Sequence, residues 1–508
     1  MKFEAILKSL NLDLSSATGG LVFLIASCFL VKIIQDGIKW ILIGRKRPPG
    51  PTGLPIVGYL PFLGKEPYKD FLKLREKYGN VIGVYFGRKY TVVLNEYNAV
   101  KQVLSHPAAL DRAPGIFDHL DPHGIMNVNG EVWKEQRKYC MNTSQELGLG
   151  RGHWEDLIMD EISSFIGKIQ EHKGKPVDIS NYLLSSLISN IITLLIGRRL
   201  NDPLKIEMLV NYTNTVLEYT GISLVTSTVP GLRKFCEVFK IGGYDKAAKL
   251  NRNFASFIKE EINRHKTSPE FKDVQDFINA YLNKMAELSK SKNTNHFFSE
   301  PELEGNLTSL YLGATDTIFS SLGWLFRIMS AHKHIQDKVY EELMEAFGKD
   351  GRARYDERDK IPYTFAVIME AQRYASNAPM SGNRIATDDI PINGYVIPKG
   401  SEITANLWVL HRDPNYWDEP EKFRPERFLT ADGTKIIKQP LSYAPFSVGR
   451  RNCPGEAIAW MEILLYFSET VKKFEISTPA GVEPEFQIVL GIVQHLAPQP
   501  LCFKERMI

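Results

Sequence analysis

The sequence predicts a mainly α-helical domain with small β-sheets, held behind one N-terminal transmembrane helix, and three observations carry this. Residues 17–34 are almost wholly apolar. From about Asn129 to Gly348 the apolar periodicity is that of helices, broken only by polar loops around residues 266–272 and 288–296. Short stretches rich in β-branched and aromatic residues, 81–95 and 390–406, are punctuated by Gly87-Arg88-Lys89, Asn393-Gly394 and Pro398-Lys399-Gly400, as strands between tight turns are.

In chain order, residues 1–44 form the membrane anchor. The one charge within its apolar run, Lys32, lies near the end of that run, where it can snorkel. A cleaved signal peptide is the rival reading, but the run is long for one and no small-x-small site follows it. Lys39, Arg45, Lys46 and Arg47 outnumber the basic residues upstream, which leaves the body of the protein on the cytosolic side. An Arg-rich, acid-poor transit sequence is absent, against mitochondrial import. Residues 45–51 end in Pro48-Pro49-Gly50-Pro51, a stiff extended hinge. Residues 52–508 are expected to be one large domain: a helix over 68–78 stopped by Gly79-Asn80, a hairpin over 81–95, then the helical stretch. Within that stretch a long buried helix starts near Ser299, which with Glu302 has capping-box spacing and with Pro301 a tolerated first turn. Strands return at 390–406, and a last helix begins beyond Cys453.

A length of 508 residues with 44% apolar and 24% charged residues describes a folded globular chain. A net charge of +3 without a long basic run gives no case for nucleic acid. Cys28, Cys140, Cys236, Cys453 and Cys502 lie far apart with no C-x-x-C pair, so neither a disulfide framework nor a zinc site is indicated, and reducing surroundings fit.

The strongest local signal is the loop from Phe446 through Gly449, Arg450, Arg451, Asn452 and Cys453 to Pro454 and Gly455. Pro454 suits a first helical turn, and Cys453 then faces the positive end of the helix dipole beside Arg450 and Arg451, which favours thiolate over thiol. A lone cysteine is otherwise most often a small buried hydrophobe. Three other constellations precede it. Glu370-Ala-Gln-Arg373 sets an acid and a base on one helix face, by itself worth about half a kcal/mol at most. Gly313-Ala314-Thr315-Asp316-Thr317 puts polar residues in an apolar helix; a hydroxyl bonding back to its own helix explains Thr317 but not Asp316. Trp133-x-x-x-Arg137 alone reads as a core indole beside a surface cation.

The loop F-x-x-G-x-R-x-C-x-G resembles the heme-binding signature of the cytochrome P450 family, and E-x-x-R, Pro425-Glu426-Arg427-Phe428 and the acid-alcohol segment occur before it in the family's order. The resemblance runs from the hinge to the C-terminus. Pro48–Pro51, Gly394-Tyr395-x-Ile397-Pro398-Lys399-Gly400 and Arg412-Asp413-Pro414 are most similar to the microsomal group that hydroxylates drugs and steroids. It implies a triangular helical prism holding heme b, with Cys453 as iron ligand and Phe446, Gly449, Gly455 and Ala314 about the cofactor. It further implies Trp133, Arg137, Arg384 and Arg451 as donors to the two propionates, where a guanidinium fork suits a carboxylate. Asp316 and Thr317 would pass protons to oxygen; here the usual glycine is Ala314 and the usual second hydroxyl is Ile318, which leaves the detailed proton route open. Glu370, Arg373 and Arg427 would be structural.

By the same resemblance, the chain would be a monooxygenase of apolar small molecules. Phe117, Ile125, Gly313, Ala314, Ala378, Met380, Ser381, Ile492 and Val493 would line the pocket. Electrons would come from NADPH through NADPH-cytochrome P450 reductase, with cytochrome b5 as a second donor, because no G-x-G-x-x-G follows a strand here. Lys134, Lys138, Arg450 and Arg451 are the expected docking face on the endoplasmic reticulum membrane. A heme-thiolate isomerase or dehydratase acting on a peroxide, and a non-catalytic heme carrier or sensor, are the alternatives; Asp316 and Thr317 argue against both. His411-Arg412-Asp413 is a chance likeness to a kinase loop, and the sequons at Asn142, Asn211 and Asn306 matter only in a lumen.

Overall fold

The structure is a computed structural model that describes residues 46–506 apart from 115–121, 148–151, 230, 272–274, 292–295 and 490–492, together with Ser27. The expected anchor over 1–44, Ser27 excepted, and Phe117 and Ile492 therefore lie outside the described residues. Among the described residues no helix is long and apolar enough to cross a membrane.

The helices are α1 (Pro67–Tyr78), α2 (Tyr97–Leu104), α3 (Gly130–Glu146), α4 (Gly152–Gln170), α5 (Ser180–Ile196), α6 (Pro203–Thr228), α7 (Leu232–Val238), α8 (Tyr244–Thr267), α9 (Phe277–Lys290), α10 (Glu300–Ala331), α11 (Lys333–Phe347), α12 (Pro362–Ala375), α13 (Leu407–Leu410) and α14 (Glu456–Lys473). The strands are β1 (Val81–Phe86), β2 (Lys89–Leu94), β3 (Asp111–Arg112), β4 (Arg384–Ile385), β5 (Ile390–Ile392), β6 (Tyr395–Ile397), β7 (Glu402–Ala405), β8 (Phe474–Ser477), β9 (Ile488–Val489), β10 (His495–Leu496) and β11 (Cys502–Glu505). One sheet has the order β1-β2-β7-β4-β3, and β5–β6, β9–β10 and β8–β11 are separate pairs. Strand β7 returns from far along the chain to lie parallel to β2, Thr91 opposite Glu402.

Local chemistry sets the boundaries. A two-residue turn, Gly87-Arg88, joins β1 to β2, with Gly87 at positive φ. Asp202 and Asp276 cap α6 and α9 by accepting backbone N–H bonds. Helix α10 is buried around most of its circumference and packs against α5, α12 and α14, so it is the axis of the helical core. A second, smaller core lies between the sheet and α2, and Tyr416 packs against both.

One expectation changes. Ser299 does accept the Glu302 N–H at 3.3 Å, but the Glu302 carboxylate does not return to close a capping box. It binds His123 Nδ1 at 2.9 Å and accepts from Gly124 N–H at 3.0 Å, fastening segment 122–128 onto α10. A side chain at Gly124 would run into the Gly305 carbonyl, which is why that crossing needs glycine. The proline-rich stretch, expected as a stiff hinge, is also bonded to the sheet. Gly83 N–H donates to the Pro49 carbonyl and Tyr90 OH to the Pro48 carbonyl, so the chain enters the domain along β1.

Candidate functional site

Cys453 lies in the loop ahead of α14, whose N-cap is Gly455; Pro454 therefore precedes the helix and does not occupy its first turn. The loop is closed by Cys453 N–H donating to the Phe446 carbonyl at 3.0 Å and Asn452 N–H to the Gly449 carbonyl at 3.1 Å. Phe446 packs edge-on against Trp460 of α14, centroids 5.2 Å apart. Gly449 has φ +83° and approaches α2 so closely that a Cβ would lie 2.3 Å from the Leu104 carbonyl oxygen. At Gly455 a Cβ would only touch the Cys453 sulfur, at 3.9 Å. Cys453 keeps solvent-accessible surface yet has dense protein around it, and it is the latter that governs its ionisation. Burial pushes its thiol up; the Gly455 amide and the guanidinium groups of Arg137 and Arg112 pull it down without winning. The expected thiolate is thus not preset in the protein alone, and Arg450 stands on the surface. Coordination to a metal ion would deprotonate it outright.

Beside the loop four guanidinium groups are gathered. Arg112 and Arg384 are directly paired across the antiparallel β3–β4 ladder. Arg384 donates through Nη2 to the Arg451 carbonyl at 2.8 Å, and its Nε and Nη1 are buried without a partner. Arg451 reaches Asn129 Oδ1 at 3.1 Å and the Val128 carbonyl, and its Nε is unpaired. Arg137 grips the loop itself through the Asn452 carbonyl and Oδ1, both at 2.9 Å. Trp133 lies between two of them, 4.5 Å from Arg451 and 5.8 Å from Arg137. Burial, then mutual repulsion, pulls Arg384 down to about 8 and Arg112 to about 10; burial, with Arg112 and Arg137 nearby, pulls Arg451 to about 9. A guanidinium stays charged at neutral pH, so these shifts express a want of counter-charge. Asp111 is the one acid acting on Arg451, and among the described residues none of the four forms an ion pair. A ligand with two carboxylates fits this donor set. Arg112 was missed in the sequence because nothing local marks it: its partner Arg384 comes from a distant part of the chain. Gly382 makes room for it, since a Cβ there would lie 2.1 Å from Arg112 Nη1.

On α10, Gly313, Ala314 and Thr317 form an open stripe on a helix otherwise mostly buried, and a Cβ at Gly313 would meet nothing within 4 Å. Thr317 Oγ1 donates to the Gly313 carbonyl at 2.7 Å. The structure does not bring Asp316 and Thr317 together. Consecutive helix residues diverge, and Asp316 is buried toward His495 of β10. Ile318 is in the core.

Of the remaining expected pocket residues, Ala378 and Met380 are half-buried, while Ile125 and Val493 are buried. Ser381 is spent on β7: its Oγ accepts from Ala405 N–H at 2.9 Å, and its carbonyl accepts from Thr404 Oγ1. Glu370, Arg373 and Arg427 meet in one cluster. Arg373 donates to Glu370 through Nε at 2.7 Å and Nη2 at 2.8 Å, and Arg427 Nε adds a third bond at 3.0 Å. Arg451 of the expected docking face is buried, which leaves Lys134, Lys138 and Arg450 on the surface.

One cysteine delivered ahead of a helix, beside buried guanidinium groups that lack a counter-charge, suits a heme-thiolate protein. The family model for cytochrome P450 matches residues 48–503, and the chain belongs to that family. It is 31% identical over 485 residues to cytochrome P450 2K4 of Oncorhynchus mykiss, covering 91% of this chain and 92% of that one. It is 30% identical to cytochrome P450 18a1 of Drosophila melanogaster (94% and 90% covered) and to cytochrome P450 2U1 of Homo sapiens (98% and 95%). The protein is a cytochrome P450 monooxygenase whose cofactor is heme b.

Proposed function

We propose that the protein inserts one oxygen atom of O2 into an apolar small molecule with electrons from NADPH delivered by a separate flavoprotein reductase: R–H + O2 + NADPH + H+ gives R–OH + H2O + NADP+. The observation that carries this reading is the open Gly313–Ala314–Thr317 stripe with Asp316 behind it, since a hydroxyl and a carboxyl in a largely dry helix are suited to proton delivery. When bound, heme supplies O2 binding and reductive cleavage of the O–O bond. Cys453 Sγ would hold the iron, and Arg112, Arg137, Arg384 and Arg451 would hold the propionates. Thr317 Oγ1, now bonded to the Gly313 carbonyl, is free by rotation to donate on the open side, and Asp316 would replenish its proton. The apolar run 17–34 and the basic residues after it support a single anchor in the endoplasmic reticulum membrane, with the catalytic domain cytosolic.

The test is the reduced, carbon-monoxide difference spectrum of membrane-expressed protein, followed by NADPH-dependent turnover with reductase. A strongly red-shifted Soret band that Cys453→Ser abolishes is expected. A wild-type protein that holds heme but lacks the band would sink the reading.

A further inference from the structure

Asp316 is turned away from Thr317's face of α10. Its Oδ1 stands 2.7 Å from Nε2 of His495, and both atoms are buried with no aligned hydrogen-bond partner, the imidazole being off the line to the oxygen. The backbone that carries the ring is held where it is. Phe319 packs on the ring at 5.7 Å, β10 pairs with Val489 of β9, and the carbonyl of the preceding Gln494 accepts from Ser320 Oγ at 2.7 Å and Trp324 Nε1 at 2.9 Å. Helix α10 and β10 are thus fastened one and two turns beyond Asp316. Nδ1 of His495 is not closed off in the same way, and the residue lines a crevice with Asp178, Ser180, Ser320, Arg327 and Gln499, at the start of α5. The charged groups on the imidazole's surroundings are Asp316 and Arg327 of α10 and Asp178 ahead of α5, with Glu485 beside Arg327; the neighbouring residues of β9 and β10 carry none.

We propose that His495 is the residue through which solvent protons reach Asp316, a positioning and proton-supplying role that rests on the oxygen-inserting reading above. An imidazole takes a proton on one nitrogen and releases one from the other. Nδ1 accepts a proton from crevice water, Nε2–H passes its proton to Asp316 Oδ1, and a ring flip resets the tautomer. No electron moves in these steps; the electrons are those of NADPH, and the proton is one that O–O cleavage consumes. Asp316 then carries it around the helix to the Thr317 face by side-chain rotation.

Two measurements on the full-length holoenzyme in membranes with reductase test this. In protein labelled with [13Cε1]histidine, Asp316→Asn is expected to shift the signal that His495→Gln removes, because the two side chains stand 2.7 Å apart; an unmoved signal overturns the proposal. His495→Gln, which keeps a donor beside Asp316 but cannot relay, is expected to slow NADPH oxidation at least fivefold and to enlarge its solvent deuterium effect. If Gln keeps the wild-type rate and isotope effect, His495 only positions Asp316 and the relay is wrong. The carbon-monoxide spectrum separates the two failures: a red-shifted band in every variant leaves the monooxygenase reading standing whatever His495 does, whereas its absence from wild type removes both.

Discussion

Arg112 and Arg384 face each other across an antiparallel strand pair, a like-charged placement that costs stability unless an anion settles between them. Each charge-assisted hydrogen bond to such an anion is worth about 1.5–3 kcal/mol. Arg384→Leu and Arg112→Leu are therefore expected to speed heme loss to excess apomyoglobin by roughly 10- to 100-fold, at one decade per 1.4 kcal/mol. Conservative Arg384→Lys is expected to recover only part, since an ammonium lacks the fork. An unchanged loss rate would mean that Arg384 does not hold the cofactor. Glu462 of α14 presents the opposite case, a carboxyl buried with no partner to offset its burial, which raises it to about 8. The unfolded chain ionises this group near 4.3 and the folded one near 8, so between those values the unfolded state binds fewer protons and stability falls as pH rises, by about 1.4 kcal/mol per unit from this group alone. Glu462→Gln is expected to melt higher than wild type at pH 8 and to match it near pH 4.5, read by thermal denaturation at both. A gap that does not widen with pH would show that Glu462 finds a partner.

At the level of elements, what the sequence made legible was chemistry encoded within a few residues. The turn at Gly87-Arg88, the N-cap at Ser299, the Cys453 loop and the i,i+3 pair Glu370–Arg373 can all be read from neighbours, and the structure has each. What was not legible depends on segments meeting from afar. Glu302 abandons its own cap for His123 and Gly124, Arg112 finds Arg384 only through the β3–β4 ladder, and His495 meets Asp316 because β10 is fastened to α10. The Glu370–Arg373–Arg427 cluster shows how a weak local signal becomes a strong tertiary one. Beyond Glu370, Arg373 donates to the carbonyls of His411, Pro420 and Lys422, so one side chain ties α12 to the whole segment after α13. Removing one member of a buried pair strands the other's charge at about 3–5 kcal/mol. Arg373→Ala is expected to abolish folded, heme-loaded protein, and Arg373→Lys not to rescue it, because three carbonyls and a bidentate carboxylate need a planar fork. Normal yield and melting temperature for Arg373→Lys would refute that account.

Over the whole molecule, α10 divides the work: one face opens at Gly313 and Thr317, another is fastened to β10 and its crevice, and α14 packs beside it behind the Cys453 loop. The loop's outer side meets α3, since Arg137 holds Asn452, and there Lys134, Lys138 and Arg450 reach the surface. Lys134 is already engaged by Glu131 at 2.6 Å, whereas Lys138 and Arg450 form no ion pair among the described residues. We propose this side as the docking face for the electron donor, and an acidic donor would be steered to it over a distance set by salt. Lys138→Glu with Arg450→Glu is therefore expected to slow the first reduction by reductase about tenfold at low ionic strength, where steering dominates on-rates. Wild type should slow toward the double variant as salt is raised through a few hundred millimolar, because a Debye length of roughly 4–5 Å leaves no long-range attraction to lose. Stopped-flow reduction under carbon monoxide reads both rates. Equal rates at low salt would move the donor's docking site to another face, while leaving the grip of Arg137 on the cysteine loop untouched.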